Sequence, residues 1–268
     1  MKRALLVVLA IALLFTLHQG FVIAIESTRI YQLQMQYLHW RYIHQAVFLI
    51  PVPVLALSVL HRKPCEYGLL WNRHVSQGII IMLILTLMVP IAVDLAAGKF
   101  QLARPSIGYL MSTLVFQIVF AGCGEELFFR GMCQSETDRL LRSRLRIGRT
   151  LCGPGILVGA FFFGLGHLGI SSAMKGACLN LGAFAATCVI GLALGFVREF
   201  VGSIFIVGFL HASINLYPQL MQPSIPGRVV YLIALAGVFY LCFSRRIHAN
   251  NQLSNKAIQS DGYAAADL

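Results

Sequence analysis

The sequence is short of charge. Only 12% of its 268 residues are Asp, Glu, Lys or Arg, against 58% hydrophobic, whereas soluble globular chains carry about 25% charged residues. That scarcity excludes a soluble domain and implies a polytopic membrane protein. Acidic residues are rarest, ten in all, so any that falls inside an apolar run needs an explanation. Paired cysteines are also missing. The seven cysteines contain no C-x-x-C, which argues against a disulfide framework or a zinc knuckle and leaves them as small membrane hydrophobes. There is no H-E-x-x-H and no G-x-G-D aspartyl signature, and GISS at Gly169–Ser172 is a poor match to a rhomboid-like serine motif. The net charge of +11 sits mostly in short links between apolar segments. It therefore carries topology information and does not mark a nucleic-acid partner.

What is present is a series of eight apolar segments. They run approximately Ala4–Ala24, His44–Leu60, Gln77–Ala97, Ser106–Cys133, Ile156–Ala173, Ala177–Val197, Phe200–Leu220 and Arg228–Phe243. Each is long enough, or nearly so, to cross roughly 30 Å of hydrocarbon as a helix. The basic start MKRALL looks like a signal peptide, but its apolar stretch exceeds a signal core and predicts a retained first span. With the N-terminus in the cytoplasm, fourteen Lys and Arg fall in inward-facing regions and six in outward-facing ones. That bias predicts both termini inside. The expected architecture is an all-α polytopic membrane protein of about eight transmembrane helices around a polar site. A single domain would cover 1–248, and a poorly ordered polar tail 249–268, in the inner or plasma membrane. The segment ETDRLLRSRLRIGR, Glu136–Arg149, reads as an interfacial amphipathic helix or a basic loop. Pro51, Pro53 and Pro90 predict kinks, and Gly191 with Gly195 a small-residue packing face.

The fourth segment carries GEELFFRG, Gly124–Gly131. Ionisable groups in hydrocarbon are costly and face a bundle interior or cavity. Glu126 and Arg130 are four apart and share a helix face, so they can compensate each other. Glu125 is rotated by about 100° and stays available to take a proton. His167 follows Phe163 by one turn, and His211 and Asn215 are again four apart. Counting about 1.5 Å per residue from the arginine-rich side, Glu125, His167 and His211 reach similar depths of roughly 14–16 Å. This holds only if the fifth helix starts near Ile156, after a turn or link at Thr150–Gly155. A carboxylate, two imidazoles and an amide then form one cluster in the cytoplasmic half. Such a set suits hydrolysis by an activated water, with donors for the oxyanion.

The ordered trio EExxxR (Glu125, Glu126, Arg130), FxxxH (Phe163, His167) and HxxxN (His211, Asn215) resembles the CPBP family. These are CAAX-protease and bacteriocin-processing intramembrane proteases, including the Rce1-type prenyl endopeptidase. The resemblance covers about 106–220. It implies a glutamate-dependent endopeptidase in which Glu125 and His167 activate water, His211 and Asn215 form the oxyanion hole, and Glu126 and Arg130 support them. Phe163 and Phe129 are expected to wall the substrate cleft. Two histidines and a glutamate could hold zinc, but the four groups already complete a metal-free mechanism, so no cofactor is expected. The expected partners are the bilayer and a membrane-embedded, lipidated or hydrophobic peptide, CAAX-like or of the C-terminal sorting or bacteriocin type. No nucleic acid is expected. Two rival readings use the same residues, a non-catalytic binding or immunity scaffold and a proton-coupled transporter. The latter would call for two similar halves, which the sequence lacks.

Overall fold

The computed structural model describes residues 2–37, 47–102, 106–147, 150–169, 178–222 and 224–240. The tail at 249–268 lies outside the described residues, as do the expected segment ends at 44–46, 170–173 and 241–243. The described chain forms α1 (Lys2–Glu26), α2 (Arg29–Tyr37) and α3 (Pro51–Val59, within the apolar helix Val47–Val59). Next come α4 (Arg73–Ala96) and α5 (Ile107–Leu141), then a short antiparallel hairpin of β1 (Leu145–Ile147) and β2 (Thr150–Cys152). The chain continues with α6 (Gly155–Gly166), α7 (Leu181–Val201), α8 (Ile204–Leu220) and α9 (Ile225–Tyr240).

Each of the eight expected segments contains a helix. Among the described residues four helices are long and apolar enough to cross a membrane: Val8–Glu26 within α1, α4, α5 and α7. The other four are shorter. The fifth segment departs most from expectation, because α6 stops at Gly166 and Gly169 takes a left-handed φ of 76°. Its start agrees with the predicted one. The Gly155 N–H donates to Asp138 Oδ1 at 2.6 Å, and a Cβ at Gly155 would lie 2.2 Å from the Gln134 carbonyl oxygen. Glycine therefore lets α6 begin directly against α5.

The segment at Glu136–Arg149 is neither of the two forms expected. α5 continues to Leu141, Arg142 turns left-handed at φ 49°, and the chain then pairs Leu145 with Cys152 across the hairpin. Proline placement also differs in one case. Pro51 sits at the first turn of α3, where its missing N–H is not needed. Pro90 follows an i→i+5 stretch at Ile84–Met88 inside α4, a wide turn that accommodates the ring without ending the helix.

Successive long elements run in alternate directions, which gathers the basic links at one end. Arg62 grips Glu136 with two bonds of 2.9 and 3.1 Å, Tyr67 donates to the same carboxylate at 3.1 Å, and Arg139 pairs with Glu66. Burial pushes the Tyr67 phenol above its ordinary range, so it remains a protonated donor at neutral pH. Arg144 pairs with Glu199 at 3.0 Å. At the opposite end Asp94 of α4, buried, accepts from Tyr217 Oη at 2.8 Å and from Ser224 Oγ. Gly227 closes over that carboxylate, with no room for a Cβ. A buried carboxylate with two donors is satisfied, and here it ties α4 to the α8–α9 turn.

Candidate active site

The expected close packing of α7 on α6 is observed: Gly191 faces Ala160 and Gly195 faces Ile156, with added Cβ atoms 3.0 and 3.1 Å from the partner. A second close approach sets the site itself. A Cβ at Gly122 of α5 would meet the Gly208 carbonyl oxygen of α8 at 2.4 Å, and one at Gly208 would meet Gly122 backbone at 3.1 Å. This backbone contact brings Glu126 and His211, four and three residues further on, to 2.9 Å. Gly122→Ala is therefore expected to destabilise the protein by about 1–3 kcal/mol, as overpacking does. Thermal unfolding in detergent would detect this, and an unchanged midpoint would show that the contact is not tight.

Glu126 and Arg130 are 0% and 1% exposed. Glu126 Oε1 accepts from Arg130 Nη1 at 3.0 Å and from His211 Nδ1 at 2.9 Å. Arg130 Nη2 donates to the Gly191 carbonyl at 3.3 Å, and its guanidinium lies 4.4 Å from the Phe163 ring centroid. The expected Glu126–Arg130 pair is thus present and has a second task, holding His211. Phe163 does not occupy the expected place in the cleft. Its ring is sandwiched behind the site, against the guanidinium and edge-on to His211 at 5.5 Å, so it forms the floor's underside.

The remaining expected groups line one cavity of about 330 Å³: Glu125, His167, His211, Asn215 and Phe129. Glu125 is half-buried, and its Oε2 makes no hydrogen bond among the described residues. The two imidazoles differ through their Nδ1 partners. His167 Nδ1 faces the Phe163 carbonyl at 2.9 Å. A carbonyl only accepts, so the proton sits on Nδ1 and Nε2 carries a lone pair. His211 Nδ1 donates to a carboxylate, and it becomes a donor at Nε2 as well when doubly protonated. In their neutral forms both rings therefore present an Nε2 lone pair, and His211 donates from Nε2 only when doubly protonated. Among the described residues no three His, Cys, Asp or Glu side chains converge as a metal would require.

Several cavity residues escaped the sequence reading. Gln117 of α5 is buried, accepts from Asn215 Nδ2 at 3.0 Å and donates to Gln219 Oε1 at 2.9 Å, forming a directed chain of three amides. The repeat Gln117, Ala121, Glu125, Phe129 is the signal that could have revealed it. Steps of four drift about 40° each on a regular α-helix, but wide i→i+5 turns run through Phe116–Glu125 and Leu127–Gln134. Such turns recur at functional sites, and a turn wider than 3.6 residues reduces that drift. α1 supplies a further wall, including His18, Gln19 and Glu26. His18 reads from sequence as an ordinary histidine within the first span, because nothing local marks which helix α1 packs against.

The cavity's position also differs from a cleft reaching toward the arginine-rich end. It uses the later half of α1, Leu49 before α3, Phe116 to Phe129 of α5, the end of α6 and His211 to Gln219 of α8. Its rim at Glu26 and Gln219 lies at the ends of α1 and α8 away from the basic links. Residues 107–217 match the family model of type II CAAX prenyl endopeptidase Rce1-like proteins. No curated protein and no solved structure matches the chain. The matched stretch, in which the chain is similar to this family, holds every expected site residue from Glu125 to Asn215.

Proposed function

We propose that the protein is an intramembrane endopeptidase of the cell membrane in which Glu125 takes a proton from water and His167 Nε2 orients that water. His211 and Asn215 donate to the oxyanion that develops as the carbonyl is attacked. Glu126 and Arg130 hold His211 in place. The observation that carries this reading is the convergence on one cavity of a carboxylate and two imidazoles, one with its Nδ1 on a backbone carbonyl and the other with its Nδ1 on a buried carboxylate, with an amide beside them. No step of this scheme calls on a metal. The substrate is a hydrophobic or lipidated peptide presented by the bilayer. Apolar walls from Phe129, Phe15 and Leu49 suit such a chain, and the polar end receives the scissile bond.

The test is cleavage by purified protein in proteoliposomes, offered membrane-anchored peptides with and without a prenyl group. Mass spectrometry should find new C-termini with the unaltered protein and none with His167→Ala. Binding of the same peptides without any new terminus would replace this reading with a scaffold.

A further inference from the structure

The ends of the bundle are chemically unlike, and the cavity belongs to one of them. At the first end lie the start of α1 at Lys2 and Arg3, then Arg62, Lys63 and Arg73. Arg139, Arg142, Arg144 and Arg146 follow, and finally Arg198 near the close of α7. Ile204 N–H bonds to the Gly68 carbonyl at 3.0 Å and Ser203 Oγ to the Leu70 carbonyl at 3.0 Å, which fixes the start of α8 at this same end. At the opposite end the described basic residues are Arg29, Lys99 and Arg228. Such asymmetry places the first end in the cytoplasm.

Between the catalytic groups and that basic end the bundle is closed. Beneath Glu125 and Phe129 come the buried Glu126, Arg130 and Phe163. Gln134 follows, also buried, with Nε2 directed to the Gly195 carbonyl at 3.4 Å. Below it the Glu136 carboxylate is capped by Arg62 and Tyr67. In the other direction the cavity wall reaches Glu26, the last residue of α1, and the exposed Gln219 beside the last residue of α8. Among the described residues α6 ends at Gly166, at the level of His167.

We propose that the cavity is entered from the extracytoplasmic side of the membrane. The peptide cleaved then belongs to an exported or membrane-anchored chain whose scissile segment lies outside the cytoplasm or in the outer leaflet. The substrate half of this statement rests on the proteolytic reading; the side of entry does not.

A membrane-impermeant maleimide tests the side directly, with the labelled cysteine identified by mass spectrometry of peptides. Cys65 is exposed in the Pro64–Tyr67 turn at the basic end and serves as the native reporter for that face. Gln219→Cys reports the cavity rim, and Gln19→Cys supplies a second reporter should the first fail to fold. In intact cells the introduced cysteine should react and Cys65 should not. In inverted vesicles Cys65 should react and the rim cysteine should lose its labelling. Labelling of Cys65 from outside, or of the rim cysteine only in inverted vesicles, overturns the proposal. A paired reporter substrate then carries its scissile segment on one face or the other. Cleavage of the cytoplasmic version alone overturns the entry side while leaving proteolysis intact, whereas failure to cleave either version, with the labelling as expected, removes the proteolytic reading alone.

Discussion

Glu125→Gln is expected to lower the rate of peptide cleavage by roughly 10²–10⁴-fold, the usual contribution of a positioned general base. The amide keeps the volume and the hydrogen-bonding reach of the carboxylate but cannot take a proton from water. The same substitution should leave the unfolding midpoint nearly unchanged. Glu125 is half-buried and its Oε2 makes no hydrogen bond among the described residues, so the amide breaks no hydrogen bond seen at that oxygen. Glu126→Gln gives the contrasting pattern, since Oε1 of that residue binds both Arg130 and His211. Rates and melting curves measured side by side separate the two adjacent glutamates. Full activity in Glu125→Gln, or a large fall in its midpoint, would show that the roles have been assigned to the wrong member of the pair.

Arg130→Ala should cost about 3–5 kcal/mol of stability, because removing one member of a buried ion pair strands the other. Glu126 would then lie at 0% exposure with only His211 to balance it. The Phe163 ring and the Gly191 carbonyl would also lose the guanidinium that spans them. Lysine is not a substitute here, since a point charge cannot both stack flat on a ring and reach two acceptors. The discriminating measurement is a double variant. Glu126→Gln with Arg130→Met removes both charges and should recover much of the loss while remaining inactive, because His211 is no longer held. If Arg130→Ala unfolds no more readily than the unaltered protein, the pair is not the strut described above.

The sequence made some of this legible for clear physical reasons. Apolar runs in a charge-poor chain announce helices, because hydrocarbon offers the backbone no other partners. Glu126 and Arg130 announce each other through spacing alone. Depth counting correctly required α6 to begin after Pro154, and Gly155 does begin it. What stayed hidden depends on contacts between distant segments. Gln117 gains meaning only from Asn215, 98 positions away, and His18 only from the neighbours of α1. Phe163 shows a related limit: four-residue spacing put it beneath His167, yet could not tell a wall from a floor. The hairpin at Leu145–Cys152 was hidden for another reason, since its leucines and arginines fit a helical face as readily as a strand.

The side chains that would act on the peptide bond all lie between Glu125 and Asn215, but a large share of the cavity lining comes from earlier in the chain: Phe15, His18, Gln19, Val22 and Glu26 of α1, with Leu49. Reactivity and fit are therefore written in separate stretches of sequence. Substitutions in α1 would therefore alter the shape of the cavity without changing any of the groups proposed to react.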